Sequence, residues 1–321
     1  MRLSKDTILA GVFGLAMGDA LGVPFEFKSR KVVSCYDLSG MWEYGTHNQP
    51  IGTWSDDTSM VLATLDAMSS NVFSVGRVMD NYRAWLEKGK YTANGNVFDV
   101  GGTTCRAIER YIMGEDPDLC GEKDIYSNGN GSLMRMLPVA YYIWLHKGFK
   151  IDEASVDMIS RFSSLTHAHS ISIECCVYYV YVALYIMAEG KELGLKNAIE
   201  HGILAVEQYY KNHGGSVVLL GRGTHSLIEL FKREREDILS TGYVVDSLEA
   251  SLWSLYHSTK FKEAVEEAVS LGGDTDTIGA ITGSLAGLYY GWNNLSVRWM
   301  GDLKSKKLIY SVCNRFYEKY K

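Results

Sequence analysis

The chain has 321 residues, 46% of them hydrophobic and 22% charged, with a formal net charge of −6 at pH 7. That is ample apolar material for a core in one large domain or two ordinary ones, and the acidic balance excludes the basic footprint of a nucleic-acid binder and any long-range attraction to an anionic membrane. A nucleotide pocket is not excluded, because a pocket need not follow the net charge.

The six cysteines (Cys35, Cys105, Cys120, Cys175, Cys176, Cys313) are scattered without a CxxC pair, which leaves zinc and thioredoxin-like readings unsupported and fits reduced thiols in a cytoplasmic protein. A charged start leads into an amphipathic helix near Ser4 that buries Ile8, Leu9, Val12, Phe13 and Leu15, not into a secretory leader. Gly11, Gly14 and Gly18 fall on this helix or at its end; glycine costs helix stability, so they imply close backbone approach to a neighbour. Gly18-Asp19-Ala20-Leu21-Gly22-Val23-Pro24 ends the helix, and Phe25-Glu26-Phe27 sets a carboxylate between two aromatics.

Residues 31–52 are the least helical part: Val32, Val33 and Tyr36 fit a short strand, the Gly and Asn clusters a loop. Next comes Gly52-Thr53-Trp54-Ser55-Asp56-Asp57-Thr58-Ser59-Met60, two adjacent carboxylates flanked by hydroxyls, followed at once by a helical apolar stripe (Met60, Val61, Leu62, Leu65, Met68). Ser55 or Asp56 takes the N-cap position. Further helices are predicted over 77–88 and after Thr103-Thr104, with Asp99 either a loop acid or a helix-start acid. The loop Tyr126-Ser127-Asn128-Gly129-Asn130-Gly131-Ser132 opens a helix through Leu133, Met134, Met136 and Leu137, with Pro138 inside it as a kink. Such a loop is a turn or a phosphate cradle; no Gly-Lys-Ser/Thr follows, so it is not a Walker loop.

In Thr166-His167-Ala168-His169 one histidine suits a pocket or, equally, a satisfied surface position, but two histidines two apart on a helical pattern do not serve one metal. The apolar run 175–187 is too short to span a bilayer and reads as a central buried helix, its tyrosines (Tyr178, Tyr179, Tyr181, Tyr185) in the core with locally paired hydroxyls. Helices follow over 153–165, 170–188, 193–211, 226–238, 246–258, 261–271, 277–290 and 304–320. No linker or repeat divides the chain, which gives one all-α domain over residues 1–321.

Gly272-Gly273-Asp274-Thr275-Asp276-Thr277 repeats the chemistry of the first acidic knot, again at a helix start. Taken separately, both knots are helix caps that suit the dipole. Brought together, Asp56, Asp57, Asp274 and Asp276 with the hydroxyls of Ser55 and Thr277 make a hard-oxygen set for Mg²⁺, Mn²⁺ or Ca²⁺, and four carboxylates in one place favour two cations.

The series Gly18-Asp19-Ala20-Leu21-Gly22…Glu26, Trp54-Ser55-Asp56-Asp57-Thr58, Asn130-Gly131-Ser132-Leu133-Met134-Arg135 with Pro138, Thr166-His167 and Gly272-Gly273-Asp274-Thr275-Asp276-Thr277 resembles, in this order, the ADP-ribosylglycohydrolase family. Phe98-Asp99-Val100-Gly101 and Gly242-Tyr243-Val244-Val245 resemble its arginine-specific branch, typified by the dinitrogenase-reductase-activating glycohydrolase. The resemblance spans residues 8 to about 291 and implies an all-α orthogonal bundle with two Mg²⁺ or Mn²⁺ ions held by Ser55, Asp56, Asp57, Asp274, Asp276 and Thr277. Ser55 stands where the family often has Thr, with the hydroxyl kept.

The resemblance further implies Glu26 as the acid above the metals, Gly129, Asn130, Gly131 and Ser132 as the diphosphate loop, His167 in the pocket, Gly242 and Tyr243 lining the substrate, and Asp99 at the acceptor side. Asp57 or Glu26 then manages protons. The expected activity is removal of ADP-ribose from arginine side chains of an ADP-ribosylated protein. The alternatives are another acceptor (serine, nucleic acid or a small metabolite) or a non-catalytic ADP-ribose-binding or immunity protein on the same fold.

Overall fold

Residues 2–321 are described by a computed structural model, and they are built from helices. In chain order these are α1 (Lys5–Gly22), α2 (Arg30–Val33), α3 (Asp56–Met68), α4 (Val75–Lys88), α5 (Gly102–Ile112), α6 (Leu137–His146), α7 (Glu153–Ser164), α8 (Ser170–Leu193), α9 (Leu195–Asn212), α10 (Val217–Arg222), α11 (Val244–Tyr256), α12 (Phe261–Ser270), α13 (Thr275–Tyr290), α14 (Val297–Asp302) and α15 (Lys306–Tyr320). Among the described residues β pairing is confined to isolated bridges, one of which joins Gly129 to Tyr243. One hydrophobic cluster runs from Leu3 to Phe316. The all-α expectation is met.

The centre of the bundle is the antiparallel pair α1 and α13. Both carry glycines four apart, which puts them on one face of each helix. A Cβ added at Gly18 would lie 1.9 Å from the Gly279 carbonyl oxygen, and one at Gly14 would lie 2.3 Å from that of Gly283. The reverse clashes hold at Gly279, Gly283 and Gly287. The two backbones are therefore in direct contact. Because α1 is covered on its other sides too, every residue from Ile8 to Gly22 is buried, and the amphipathic helix expected here is instead apolar all round.

α1 and α8 are each long and apolar enough to cross a bilayer, with mean hydropathy 1.7 in both. The α1 segment is wholly buried and the α8 segment 72% buried inside the fold, as core helices are. Of the α8 tyrosines, Tyr179 pairs with Ser284 Oγ at 2.7 Å. Tyr178 and Tyr181 bury their hydroxyls without a partner among the described residues, and Tyr185 is only partly buried. Of the four expected in the core with locally paired hydroxyls, only Tyr179 is paired, and to another helix.

Three other expectations are corrected. Val32 and Val33 end the short helix α2 and form no strand. Pro138 does not kink a helix: a 3₁₀ turn over Leu133–Arg135 precedes it, and the proline sits in the first turn of α6, where its missing N–H costs nothing. Residues 226–238 form two 3₁₀ segments, Leu227–Lys232 and Arg235–Asp237, in place of one helix. Glu207 takes the Leu227 N–H at 2.8 Å, and Arg30 reaches across to the carbonyls of Arg235 and Ile238. Tertiary hydrogen bonds here override a weak local preference.

Gly18→Ala should destabilise the protein by about 1–3 kcal/mol, because a methyl group has no room between the two backbones. Gly221→Ala, at a helical position with nothing within 4 Å, should be neutral or stabilising by up to about 1 kcal/mol. Denaturant unfolding of both variants measures the contrast.

Candidate active site

The site is assembled where α1 ends and where α3 and α13 begin. Asp19, in the last turn of α1, is fully buried and accepts from the Ser55 N–H (2.8 Å), the Thr58 N–H (3.0 Å) and the Thr58 hydroxyl (2.6 Å). It thus caps α3 from another helix, satisfying amide groups that a helix start leaves open. Ser55 is the N-cap proper. Its hydroxyl donates to Asp57 Oδ2 at 2.9 Å, and Thr277 Oγ1 reaches the same oxygen at 3.5 Å. On the α13 side, Gly272 and Gly273 have φ of +71° and +74°, a turn that only glycine makes cheaply. It delivers Asp274 to the helix start and Asp276 to the first turn.

The two acidic knots meet. Oxygens of Asp19, Asp57 and Asp276 lie within 4.8 Å of one another, and so do ligand atoms of Glu26, His47, Asp99 and Asp276. Asp276 belongs to both groups. Asp56, buried, and Asp274, half-buried, stand beside them and line a cavity of about 350 Å³ together with Glu26, Asp99, Thr277, Gly129, Asn130, Gly131, His167 and Gly242. A larger cavity of about 910 Å³ lies between α8, α9 and α10, but it holds none of these carboxylates. Chemistry, not size, picks out the smaller one.

The cluster lacks internal compensation. None of Asp19, Asp56, Asp57, Asp274 and Asp276 is paired with a Lys or Arg among the described residues. One oxygen each of Asp57, Asp274 and Asp276 is buried with no hydrogen-bond donor. Burial, then mutual repulsion, pushes Asp56, Asp57 and Asp276 well above the usual carboxylate range. Burial also raises Asp274, against the hydrogen bond from Asn130, and takes Asp19 to about 7 against the donors of Thr58 and Ser55. Glu26 is pushed to about 7 by burial, opposed by His47 and aided by Asp99 and Asp274. Burial alone would lower His47; the carboxylates of Glu26 and Asp99 outweigh it and hold His47 above its ordinary value. Orphaned buried oxygens and unpaired carboxylates are what divalent cations with oxygen preference satisfy. The residues present fit such ions.

Opposite the acids stands the loop before α6. Asn130 donates through Nδ2 to Asp274 Oδ2 and to Ser247 Oγ, each at 2.8 Å, and its own N–H goes to the Gly242 carbonyl (3.1 Å). The glycines supply room. A Cβ at Gly131 would meet Thr104 Oγ1 at 2.8 Å and His167 at 3.0 Å, and one at Gly242 would meet Asp274 Oδ2 at 3.0 Å.

Arg135, fully buried, clamps the loop from behind: it donates to Gly131 O (3.1 Å), Tyr82 Oη (3.0 Å), Phe162 O (3.2 Å) and Thr166 Oγ1 (2.7 Å). Thr166 in turn contacts His167 Nδ1 at 2.8 Å. Because Arg135 can only donate, Thr166 is free to give its proton to Nδ1, which leaves Nε2–H facing the glycine loop. Burial, then the Arg135 charge, lowers His167 to about 3, so the ring is neutral.

Most expected site residues converge; Ser55, Asp57 and Asp276 belong to the acid cluster without lining the cavity, and Ser132 and Tyr243 belong to neither. Ser132 is fully buried with its hydroxyl on Ser163 (2.9 Å) and Cys176 (3.4 Å), so its side chain belongs to the core. Tyr243 is carried to the rim by its bridge to Gly129, but its ring lies 5.9 Å from the Arg222 guanidinium and does not line the cavity. Asp99 is a loop acid, three residues before α5, with φ of +53°. His169 caps α8 and meets Asn128 at 3.0 Å, away from the acids.

Sequence reasoning gave no role to Asp19, His47 or Arg135. A lone acid on an apolar helix and a lone cation next to a glycine loop were the available signals for Asp19 and Arg135. His47 has none, since it lies in the loop without periodicity.

Comparison with known proteins agrees with this geometry. The family model described as ADP-ribosylglycohydrolase matches residues 2–321. The chain is 27% identical over 315 residues to the ADP-ribosylarginine hydrolase Tri1 of Serratia proteamaculans, covering 98% of this chain and 80% of that one. It is 27% identical over 312 residues to the ADP-ribosyl-[dinitrogen reductase] glycohydrolase of Rhodospirillum rubrum, covering 94% and 91%. A solved structure titled ADP-ribosylglycohydrolase-related protein complex superposes with a TM-score of 0.74 at 27% identity, covering 99% of both chains.

The raised carboxyls predict an unusual stability profile. A carboxyl whose folded pKa lies above its unfolded value binds its proton more tightly in the folded state, so its contribution is present at low pH and is lost as pH rises through the folded value. For Asp19, titrating near 7 instead of 3.8, the loss is on the order of 4 kcal/mol. The melting temperature of EDTA-stripped protein should therefore fall between pH 5 and pH 8. Excess Mg²⁺ or Mn²⁺ should raise it most at the upper end. Thermal melts across that range, with and without metal, measure this.

Proposed function

The chain belongs to the ADP-ribosylglycohydrolase family, and from that premise we propose that it removes ADP-ribose from modified arginine side chains of proteins, using two Mg²⁺ or Mn²⁺ ions. The enzyme is a glycohydrolase. What carries the arginine reading is the pair Glu26 and Asp99, two carboxylates on the cavity wall that both approach His47 and lie outside the cation set. A guanidinium is drawn into such a site by charge. A serine hydroxyl gains nothing from it, and a nucleic acid is repelled. The relatives named above for arginine and for dinitrogen reductase support the same choice.

The roles follow from position. Ser55, Asp56, Asp57, Asp274, Asp276 and Thr277 hold the cations, and Asp19, whose oxygens are taken by Ser55 and Thr58, fixes the start of α3 beneath them. When bound, the cations neutralise the cluster, anchor ribose hydroxyls and lower the pKa of water. The N–H groups of Gly129 and Gly131 and the neutral His167 donate to the diphosphate. Ser132 contributes through its main chain alone, Gly242 through the room it leaves, and Tyr243 as a flank at the rim.

As the bond from C1″ to the guanidinium nitrogen breaks, positive charge on the ribose is stabilised by the surrounding carboxylates. Glu26, bonded to His47, is placed to give a proton to the departing nitrogen, and Asp99 holds the guanidinium. Water supplies the new C1″ hydroxyl, and the proton it loses restores Glu26. We further read residues 1–321 as one domain, since a single core spans Leu3 to Phe316, and we place the enzyme in the cytoplasm, which its six free thiols suit.

Asp57→Ala and Asp276→Ala should each lower release of ADP-ribose from an ADP-ribosylated-arginine protein at least about 100-fold, with the helical circular-dichroism spectrum retained, and EDTA should do the same to the wild type. Full turnover in both variants would sink the metal assignment. Asp99→Ala should slow arginine release by about 100-fold while leaving the affinity for free ADP-ribose within about twofold. Equal loss in both assays would make Asp99 a scaffold residue.

A further inference from the structure

A second depression, of about 520 Å³, adjoins the acid-lined cavity and shares Phe27, Gly242 and Asp274 with it. One wall is the stretch 238–242, which belongs to no helix. The N–H groups of Leu239, Ser240, Thr241 and Gly242 have no acceptor among the described residues. Two large apolar side chains stand in solvent here, Phe27 at 72% and Leu239 at 54% exposure. Phe27 is held at φ of +62°, a conformation costly for a bulky residue, by its N–H bond to the Gly273 carbonyl at 2.7 Å. The fold thus fixes an aromatic ring in water at the mouth of the site.

The charges of the groove are also defined. The Arg30 guanidinium is spent on the carbonyls of Leu271, Arg235 and Ile238. Glu236 is exposed and in no ion pair among the described residues. The Arg30 charge stays but faces those carbonyls, which leaves Glu236 as the exposed charged side chain of the groove. Its position relative to the chemistry follows from Phe27, whose ring centroid lies 6.2 Å from that of His47. His47 bonds Glu26 and stands 3.9 Å from Asp99. The groove therefore opens at Phe27 beside Glu26, His47 and Asp99, and meets the glycine loop at Gly242, whose carbonyl accepts the Asn130 N–H.

We propose that this groove binds the substrate polypeptide next to its modified arginine. The bound segment is extended. Its carbonyls pair with the N–H groups of Leu239 and Thr241, the alternate residues left over once the Ser240 and Gly242 carbonyls accept from Asp274 and Asn130, as in strand addition to an open edge. An apolar side chain packs between Phe27 and Leu239, and a basic one meets Glu236. This rests on the arginine-hydrolase reading and deepens it: the enzyme recognises a stretch of protein, not the ADP-ribosylarginine alone.

The test compares kcat/KM for two probes under saturating Mg²⁺: free ADP-ribosylarginine, and a short peptide bearing one ADP-ribosylarginine flanked by leucine and lysine. The wild type should favour the peptide. Leu239→Asp and Glu236→Lys, both exposed positions outside the acid-lined cavity, should reduce kcat/KM for the peptide roughly 10-fold or more through KM, with the free probe changed by less than about twofold. Thermal melts confirm that both variants fold. Equal treatment of the two probes by the wild type overturns the proposal, as does an equal loss on both probes, or no loss on either, in the variants. Wild-type failure to cleave either probe is a different result, because it removes the arginine reading itself.

Discussion

The backbone-to-backbone contact of α1 with α13 is the constraint on which the rest of the molecule depends. Two helices normally pack with their axes 8–10 Å apart, set by side chains. Here glycines on both faces let carbonyl oxygens occupy the space that methyl groups would take. The contact propagates to the site because each helix carries an acid at the shared end. Asp19 closes α1, and Asp276 lies in the first turn of α13. A Cβ at Gly22 would fall 2.4 Å from the Asp276 Cα. The glycine face thus sets how closely the two carboxylates approach, and Asp19 in turn fixes α3 by capping it. The three helix ends are one mechanical unit.

That unit is electrostatically unfavourable by itself. Both α3 and α13 direct their N-terminal ends at the cluster, and their dipoles offset part of its negative charge. The offset is incomplete, since burial and mutual repulsion still raise Asp56, Asp57 and Asp276 and one oxygen each of Asp57, Asp274 and Asp276 has no donor. The hydrophobic cluster around α1, α8 and α13 stabilises a fold that holds repelling groups together, and metal binding then becomes coupled to stability. The same arrangement explains why the acids sit on helix ends and not on loops. A ligand set under repulsion stays in place only where the backbone is rigid.

The all-α architecture and the two acid-rich helix starts were legible in the sequence because both rest on local signals, whereas their meeting was implied only by the family resemblance. Apolar residues recur with the helical period, and an N-cap hydroxyl precedes each acid-rich first turn or lies within it. What was not legible depends on contacts distant in sequence. Asp19 reads as a polar residue at the end of an apolar helix until Ser55 and Thr58 are placed against it. His47 lies in an aperiodic loop, and only the fold brings it to Glu26. Residues 226–238 have enough apolar residues for a helix, yet Glu207 and Arg30 take their backbone groups one by one. Pro138 fits a kink as well as a first turn, and the choice depends on the Arg135 clamp, which holds the preceding residues in a 3₁₀ turn. Ser132 shares its motif with Asn130 and Gly131 but faces the other way, because successive residues of a tight turn point in different directions.

The two sides of the cavity are built on opposite principles. On the glycine-loop side the backbone is relaxed: neither Gly129 nor Gly131 needs a positive φ, and Gly131 is held to glycine by the crowding of Thr104 and His167. Arg135, Thr166 and His167 form a closed chain of hydrogen bonds there, which keeps the pocket histidine neutral and oriented. A rigid, neutral donor surface suits a group common to every substrate of the enzyme. On the other side Phe27 and Asp99 both adopt left-handed conformations, Glu26 and His47 share a proton-bearing contact, and apolar surface is left exposed. Local strain of this kind persists only where the surrounding structure over-determines it. Left-handed backbone also occurs away from the cavity, at Tyr44, Asn48, Tyr91 and Ser305. Of the residues that line the cavity, however, only Phe27 and Asp99 adopt it without being glycine, on the rim where the proposed acceptor would leave.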